Sequence, residues 1–405
     1  MTCPECEAQN HDLARFCLRC GTALRIVDPR ERRGSYVIHP SESVAQLALI
    51  STLLPHTNRR AANDYRWALF VSAGAILVLT LVGVAAPAVA AASFLIPVIY
   101  LVYLHDSGLW QDRSALVIAV LYGFIGLGAI LLSVIFFKGL GASFSSLLTA
   151  TSGRGGIRAL PLLPLLVFGV GLPVVSEVVK QVGPILLARR PAFDDMLDGF
   201  TFGVAAGATY AGFESVIAFA SVFSAERIAS PEGLGAWLIV IVNLMVIKPV
   251  IYGCATGVAV AAFSGRGEGY DGFTPRYLAS FLLAVGVNVA YWLGTRLFAA
   301  APFGAALGLM WGVVVAAMVL VVARATLQTA LVEAALEEAA TDRRSKWATI
   351  DGGFCPECES PLLAGAMFCV ICGSSVRATS HAGRRHIAEP APAPPPKPRK
   401  RSTSR

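Results

Sequence analysis

Charge is what this sequence has least of. Of its 405 residues only 15% are Asp, Glu, Lys or Arg, while 55% are hydrophobic and the mean hydropathy is +0.64. Soluble globular domains carry about a quarter of their residues as charges, so a water-soluble enzyme or binding domain of ordinary composition is excluded. The shortage is local. Between about Trp67 and Val322, apolar runs of bilayer-spanning length follow one another, the pattern of an integral membrane protein. The net charge of +7 comes largely from the two ends and describes no basic face of a folded domain. Its largest source, the tail HIAEPAPAPPPKPRKRSTSR, is expected to meet anionic lipid headgroups and not nucleic acid.

Three further absences matter. The opening residues MTCPECEAQNHD contain no apolar core of a signal peptide, so the first apolar span is expected to direct insertion itself. Cysteine is missing from the apolar region except for Cys254, which reads as a small packing residue. Histidine is missing from every apolar span: His11, His39, His56, His381 and His386 lie in terminal regions, and His105 sits at a span edge.

The other eight cysteines form two groups of one design. CPECE…FCLRCG holds Cys3, Cys6, Cys17 and Cys20, and CPECE…FCVICG holds Cys355, Cys358, Cys369 and Cys372. Each is C-x2-C-x10-C-x2-C, two knuckles that supply four thiolates for closed tetrahedral coordination. That chemistry predicts two structural Zn2+ sites with no open position for catalysis. Gly21 and Gly373 follow the second knuckle, where the chain must bend back without a Cβ clash. A disulfide framework is the competing reading, and it would require an oxidising compartment. The groups resemble the short zinc ribbons at the ends of many bacterial membrane proteins, which implies protein contacts.

The chain therefore divides into an N-terminal ribbon at 1–26, a linker at 27–65, a transmembrane region at 66–325, a helix and linker at 326–352, a second ribbon at 353–376, and a Pro-rich basic tail at 377–405. The linker contains SESVAQLALISTLLP, expected as a short amphipathic helix on the membrane surface. The fold class expected is an all-α polytopic membrane protein with about eight transmembrane helices, near 67–86, 88–104, 114–137, 159–187, 197–223, 234–263, 277–299 and 303–324. The last is expected to run on as a soluble helix through LQTALVEAALEEAATDRR. An even number of spans puts both termini on one side. Thiolate ligands place that side in the reducing cytoplasm of a bacterial-type inner membrane, and terminal basic residues carry the positive-inside bias.

Several polar residues lie where lipid should be. In VVSEVVKQVGPILLARR, Glu177 precedes the Arg189-Arg190 pair by twelve residues, a depth of roughly 18 Å along a helix in a hydrocarbon core about 30 Å thick. Lys180 is three residues on and can reach it. DGFTFGVAAGATYAGFESVIAFA carries Glu214, with Tyr210 one turn earlier and a Gly203-x-x-x-Gly207 stripe for close helix approach. Asn243 and Lys248-Pro249 follow in the next span, then Asn288 and Tyr291. Ionised groups at this depth cost at least about 2.5 kcal/mol each, so they must face inward and are functional candidates.

SEVVK followed by DGFTFGVAAGATYAGFES resembles the PrsW-type intramembrane proteases of the glutamate-dependent superfamily that includes CAAX-prenyl and bacteriocin-processing proteases. The family pattern is E-E-x-x-K, then a Gly-rich span ending in F-x-x-x-E, then histidines in two later spans. Matched residue by residue, Glu177 and Lys180 take the first motif, and Tyr210 and Glu214 the second. The sequence departs from the pattern at Ser176, where the first Glu would stand, and at Tyr252, where a histidine would. The resemblance implies cleavage of a membrane-anchored protein substrate by glutamate-activated water, with Glu177 and Glu214 activating water, Lys180 holding Glu177 and Tyr210 orienting Glu214. The missing histidines leave a second reading open. In it, an inactive pseudoprotease acts as an adaptor that recruits cytoplasmic protein partners through its ribbons. An ion-coupled transporter using Glu177, Glu214 and Lys248 lacks the inverted repeat such folds show.

Overall fold

The computed structural model describes residues 1–12, 14–24, 52–54, 59–106, 114–140, 166–190, 193, 195–224, 233–265, 270–299, 301, 303–342, 366–371 and 373. Most of the SESVAQLALISTLLP segment, Cys355, Cys358, Cys372 and the basic tail lie outside them. Among the described residues there are helices and no strands. We number the long helical rods in chain order. α1 is Arg59–Leu81 and α2 is Ala85–Asp106. α3 runs through Ser114–Ile118, Ala119–Phe124, Ile125–Ser133 and Val134–Leu140, and α4 through Val167–Gly171 and Leu172–Ala188. α5 is Met196–Ala218. α6 joins Leu234–Val242, Asn243–Ile247 and Lys248–Ser264; α7 is Pro275–Ala299; and α8 is Gly304–Asp342.

Seven of these rods, all but α5, are long and apolar enough to cross a membrane, and the chain is a multi-pass membrane protein. The remaining expected span, 197–223, coincides with α5, which carries Asp198, Glu214 and six glycine or threonine positions that dilute its apolar character. It compensates by burial: every residue from Met196 to Gly212 is buried, wrapped by α2, α3, α4 and α6. Its start is set by Asp195, whose carboxylate accepts the Asp198 N–H at 2.7 Å as an N-cap.

The α5–α6 contact is backbone on backbone. A Cβ added to Gly203 would lie 2.6 Å from Gly257 Cα, and one on Gly207 would lie 2.8 Å from Gly253 Cα and closer still to the Tyr252 carbonyl. The expected Gly203/Gly207 stripe therefore meets a matching Gly253/Gly257 stripe on α6. Lipid gives no hydrophobic drive between helices, so close van der Waals approach of this kind does the work of association. Proline assists on the opposite flank. Pro97 inside α2 removes the N–H that would bond the Ser93 carbonyl, and Gly212 of α5 approaches that freed oxygen so closely that its own Cβ would fall 2.7 Å from it.

Three of the rods contain π-helical turns, in α3, α4 and α6, and the turns in α4 and α6 precede Pro173 and Pro249, the second residues of their next helical segments. A wide turn relieves the clash a proline ring makes with the preceding turn. α8 spans 39 residues, about 58 Å at the usual rise, so its end projects into water as the LQTALVEAALEEAATD sequence anticipates. The described end of the linker, Thr52–Leu54, does not rest on the bundle surface. Leu53 and Leu54 join the main core, Tyr100 donates to the Leu53 carbonyl at 2.5 Å, and Arg324 of α8 reaches Thr52 Oγ1 at 3.5 Å.

Gly207→Ala should force α5 and α6 apart and destabilise the protein by about 1–3 kcal/mol, read as a lower melting temperature in detergent. Gly74→Ala, which faces open space on α1, should leave the melting temperature unchanged or raise it slightly.

Candidate functional site

Helices α4, α5 and α6 deliver two glutamates and two lysines to one buried cluster, which α7 completes with Asn288, Tyr277 and Trp292. Glu177, Lys180 and Glu214 have no exposed surface, and Lys248 is 5% exposed. Glu177 pairs with Lys180 on its own helix, Oε2 to Nζ 2.6 Å, as their three-residue spacing predicts. Glu214 pairs with Lys248 on the neighbouring helix, Oε2 to Nζ 2.9 Å. Tyr252 stands between the pairs: its ring centroid is 4.1 Å from Lys180 Nζ and 5.5 Å from Lys248 Nζ. Its hydroxyl accepts the indole N–H of Trp292 at 2.6 Å. Tyr210 closes the other side, its ring 5.7 Å from Lys180 Nζ and 6.2 Å from the Tyr252 ring.

The two carboxylates are in different chemical conditions. Glu177 is saturated. Oε1 accepts from Gln181 Nε2 at 2.8 Å and Thr256 Oγ1 at 3.0 Å; Oε2 takes Lys180 and Asn288 Nδ2 at 3.0 Å. Asn288 is itself fixed by donating to the Ala284 carbonyl at 2.7 Å and by accepting from Lys180 at 3.4 Å. Gln181 in turn accepts from the Tyr277 hydroxyl at 2.8 Å. Glu214 has only the Lys248 ammonium, 2.9 Å from Oε2, and no other donor reaches its oxygens among the described residues. The hydroxyl of Tyr210, one turn before it, also has no hydrogen-bond partner there. Lys248 divides its contacts, donating to Ser215 Oγ at 2.9 Å.

All four residues proposed from the sequence, Glu177, Lys180, Tyr210 and Glu214, thus fall into one cluster. One expected contact is not made: Tyr210 does not bond Glu214, because Lys248 on α6 takes that carboxylate. Gln181, Thr256, Tyr277 and Trp292 were not legible as members. Gln181 alone had a signal, its position four residues after Glu177.

The second candidate site is the N-terminal cysteine group. Cys3, Cys6, Cys17 and Cys20 bring four sulfurs within 4.8 Å of one another and could hold a metal ion. The two knuckles fold alike: Glu7 N–H bonds the Cys3 carbonyl and Gly21 N–H the Cys17 carbonyl, both at 3.0 Å. Each ends in a left-handed residue, Glu7 at φ 56° and Gly21 at φ 72°. As thiols, Cys6 and Cys17 differ. Burial pushes Cys6 up to about 12. Burial also opposes ionisation of Cys17, but N–H groups of Cys20 and Arg19 and the Asn10 amide outweigh it and hold Cys17 down at about 7.

The described part of the C-terminal group docks on this ribbon. Ala366–Ile371 repeats the frame of Ala14–Arg19, and the two stretches exchange hydrogen bonds symmetrically. Arg15 and Phe16 N–H both reach the Val370 carbonyl, at 2.9 and 3.2 Å, while Met367 and Phe368 N–H both reach the Leu18 carbonyl, at 2.9 and 3.1 Å. Gly373, at φ 75°, lies against the Phe16 ring, which a Cβ would strike.

Comparison with family models, with curated proteins and with solved structures finds no match for this chain.

Removing one partner of a buried ion pair strands the other charge. Lys180→Met should cost about 3–5 kcal/mol, seen as a large drop in melting temperature in detergent. Adding Glu177→Gln to that variant should recover part of the loss, since the stranded carboxylate is then neutral.

Proposed function

We propose that this chain is an intramembrane peptidase of the glutamate-dependent, PrsW-like type, and that Glu214 takes the proton of the attacking water while Glu177 is a positioning residue. The observation that carries this is the contrast between the two carboxylates. A general base must have a lone pair within reach of water. Both Glu177 oxygens are taken up by four donors, whereas Glu214 has the Lys248 ammonium on Oε2 alone, and its Oε1 and the Tyr210 hydroxyl lack hydrogen-bond partners among the described residues. Buried groups left in that condition mark strain, function or bound water. Glu214 accepts a water proton as the water oxygen attacks a peptide carbonyl carbon. The Tyr210 hydroxyl and the Lys248 ammonium donate to the resulting oxyanion, and Glu214 returns the proton to the departing amine.

The adaptor reading is favoured by one specific observation. Where the family has histidine, Tyr252 is locked by Trp292 and by two ammonium groups, so no imidazole relays protons. Mapping new protein N-termini in membranes separates the two. Glu214→Gln should abolish chain-dependent termini in or beside membrane-anchored segments while the protein stays inserted and folded. Termini unchanged between wild type and this variant would leave the adaptor.

The ends support the placement of both termini in the cytoplasm of an inner membrane. Chain segments that hydrogen-bond to each other outside the bilayer lie on one side of it, which requires an even number of crossings. Counting α5 with the seven apolar rods meets that requirement. Each cysteine group holds one structural Zn2+. Around tetrahedral zinc with bonds of about 2.3 Å, sulfurs stand about 3.8 Å apart, and the Cys3–Cys20 and Cys6–Cys17 pairs stand at 3.6 Å. Cytoplasmic protein partners would meet the outer faces of the joined ribbons, since the RFCL and MFCV edges are occupied by each other. Zinc content should reflect that union. Cys3→Ser should lower retained zinc by more than one site's share and raise the maleimide reactivity of buried Cys369, measured on the full-length chain by metal analysis and mass spectrometry.

A further inference from the structure

A cleft of about 440 Å³ lies between α4 and α7 at the end of α4 that carries Arg189. One wall is Val178, Val182 and Leu186, and the other is Leu278 and Phe281. Val178, Leu186 and Leu278 are about half exposed, so the cleft opens sideways onto the lipid that surrounds the bundle. Its inner lining includes Gln181 and Tyr277, the pair whose hydrogen bonds lead to Glu177. At its outer end sits Arg189, exposed, with its guanidinium 6.0 Å from the Phe273 ring. Arg189 follows Ala188, the last residue of the span, so it stands at the boundary between hydrocarbon and headgroups. Arg190 and Arg276 flank the same mouth in sequence, as do the exposed aromatics Tyr270 and Phe273 that favour that depth. From Arg189 down to Gln181 is eight residues, about 12 Å of helix.

We infer that this cleft is a binding site for an anionic phospholipid, with one acyl chain between α4 and α7 and the phosphate at Arg189. The chemistry of the two ends selects the occupant. An apolar cleft open to the bilayer accepts acyl chains, and a cation at headgroup depth beside it prefers phosphate that carries net negative charge. An extended peptide segment would bring backbone amides that the aliphatic walls cannot satisfy. The site goes beyond the proposed hydrolysis and rests only on the membrane embedding of α4 and α7. Occupancy has one structural consequence: a chain in the cleft presses on Gln181 and Tyr277, the shell that saturates Glu177.

The test uses the full-length protein in neutral detergent with phosphatidylglycerol or phosphatidylcholine bearing a photoactivatable acyl chain, followed by mass mapping of labelled peptides. Phosphatidylglycerol should label the Val178–Leu186 and Leu278–Phe281 stretches about fivefold more than phosphatidylcholine, the ratio that about 1 kcal/mol per basic residue gives. Val182→Trp should remove this labelling, and Arg189→Gln, a change at an exposed position that does not challenge folding, should make the two lipids equal. Equal labelling by both lipids in the unaltered protein means annular lipid only and overturns the proposal. So does a preference that survives Arg189→Gln. A single-span peptide carrying photo-leucine that labels the same stretches and displaces phosphatidylglycerol also overturns it, by assigning the cleft to a transmembrane segment.

Discussion

Everything in the core of this protein answers to one constraint: a charge in hydrocarbon must be neutralised by a neighbour it can touch. The four charged side chains of the central cluster are buried, and each finds an opposite charge within 3 Å. Such pairs contribute little net stability compared with well-packed apolar residues, because desolvation offsets most of the attraction. They instead penalise every arrangement in which a partner is absent. Sliding α6 along α5 by one turn would separate Lys248 from Glu214 by about 5 Å and strand both. The ion pairs thus fix register, which apolar surfaces facing lipid-like neighbours cannot do alone.

Small residues make that register reachable. Lys248 and Glu214 meet because the glycines at 203, 207, 253 and 257 let two backbones touch. The same approach puts the Tyr252 ring between the two ammonium groups, where its π face adds attraction without adding charge. Pro173 and Pro249, each following a wide helical turn, lie one turn before Glu177 and directly after Lys248. The elements that look weakest as helix formers are the ones that position the charged side chains.

How much of this the sequence disclosed depended on the range of each interaction. Glu177 and Lys180 could be paired from their spacing on one helix, and the glycine stripe on α5 announced a close neighbour without naming it. The pairing of Glu214 with Lys248 was hidden, since nothing local to either residue says which helix faces it; Tyr210, one turn away, was the nearest visible partner and proved not to bond it. The burial of Thr52–Leu54 was likewise illegible, because an amphipathic stretch docks as readily on a membrane as on a helix bundle. The helical class, the apolar rods and the cysteine design were visible because each is a pattern of period or spacing. α5 lies between these cases. It read as a span from length, while its glycines and acids leave it less apolar than the others and dependent on their cover.

The difference between the two glutamates is the part of the structure that stability does not explain. A bundle selected only for rigidity would saturate Glu214 as it saturates Glu177, since a buried acceptor without a donor costs about 1–3 kcal/mol and more when charged. Ser215, adjacent to Glu214, has a hydroxyl that bonds the Ala211 carbonyl and accepts from Lys248, so a donor was at hand and is turned elsewhere. The Tyr210 hydroxyl, without a hydrogen-bond partner among the described residues, stands one turn from a carboxylate whose Oε1 also has none there, and the two are not joined. Local rules broken together at one place, while the neighbouring pair obeys them all, are what a site for a polar guest looks like from the protein's side. The guest that fits a carboxylate, an ammonium and a phenol in one buried cluster is small, polar and able both to give and to accept a proton.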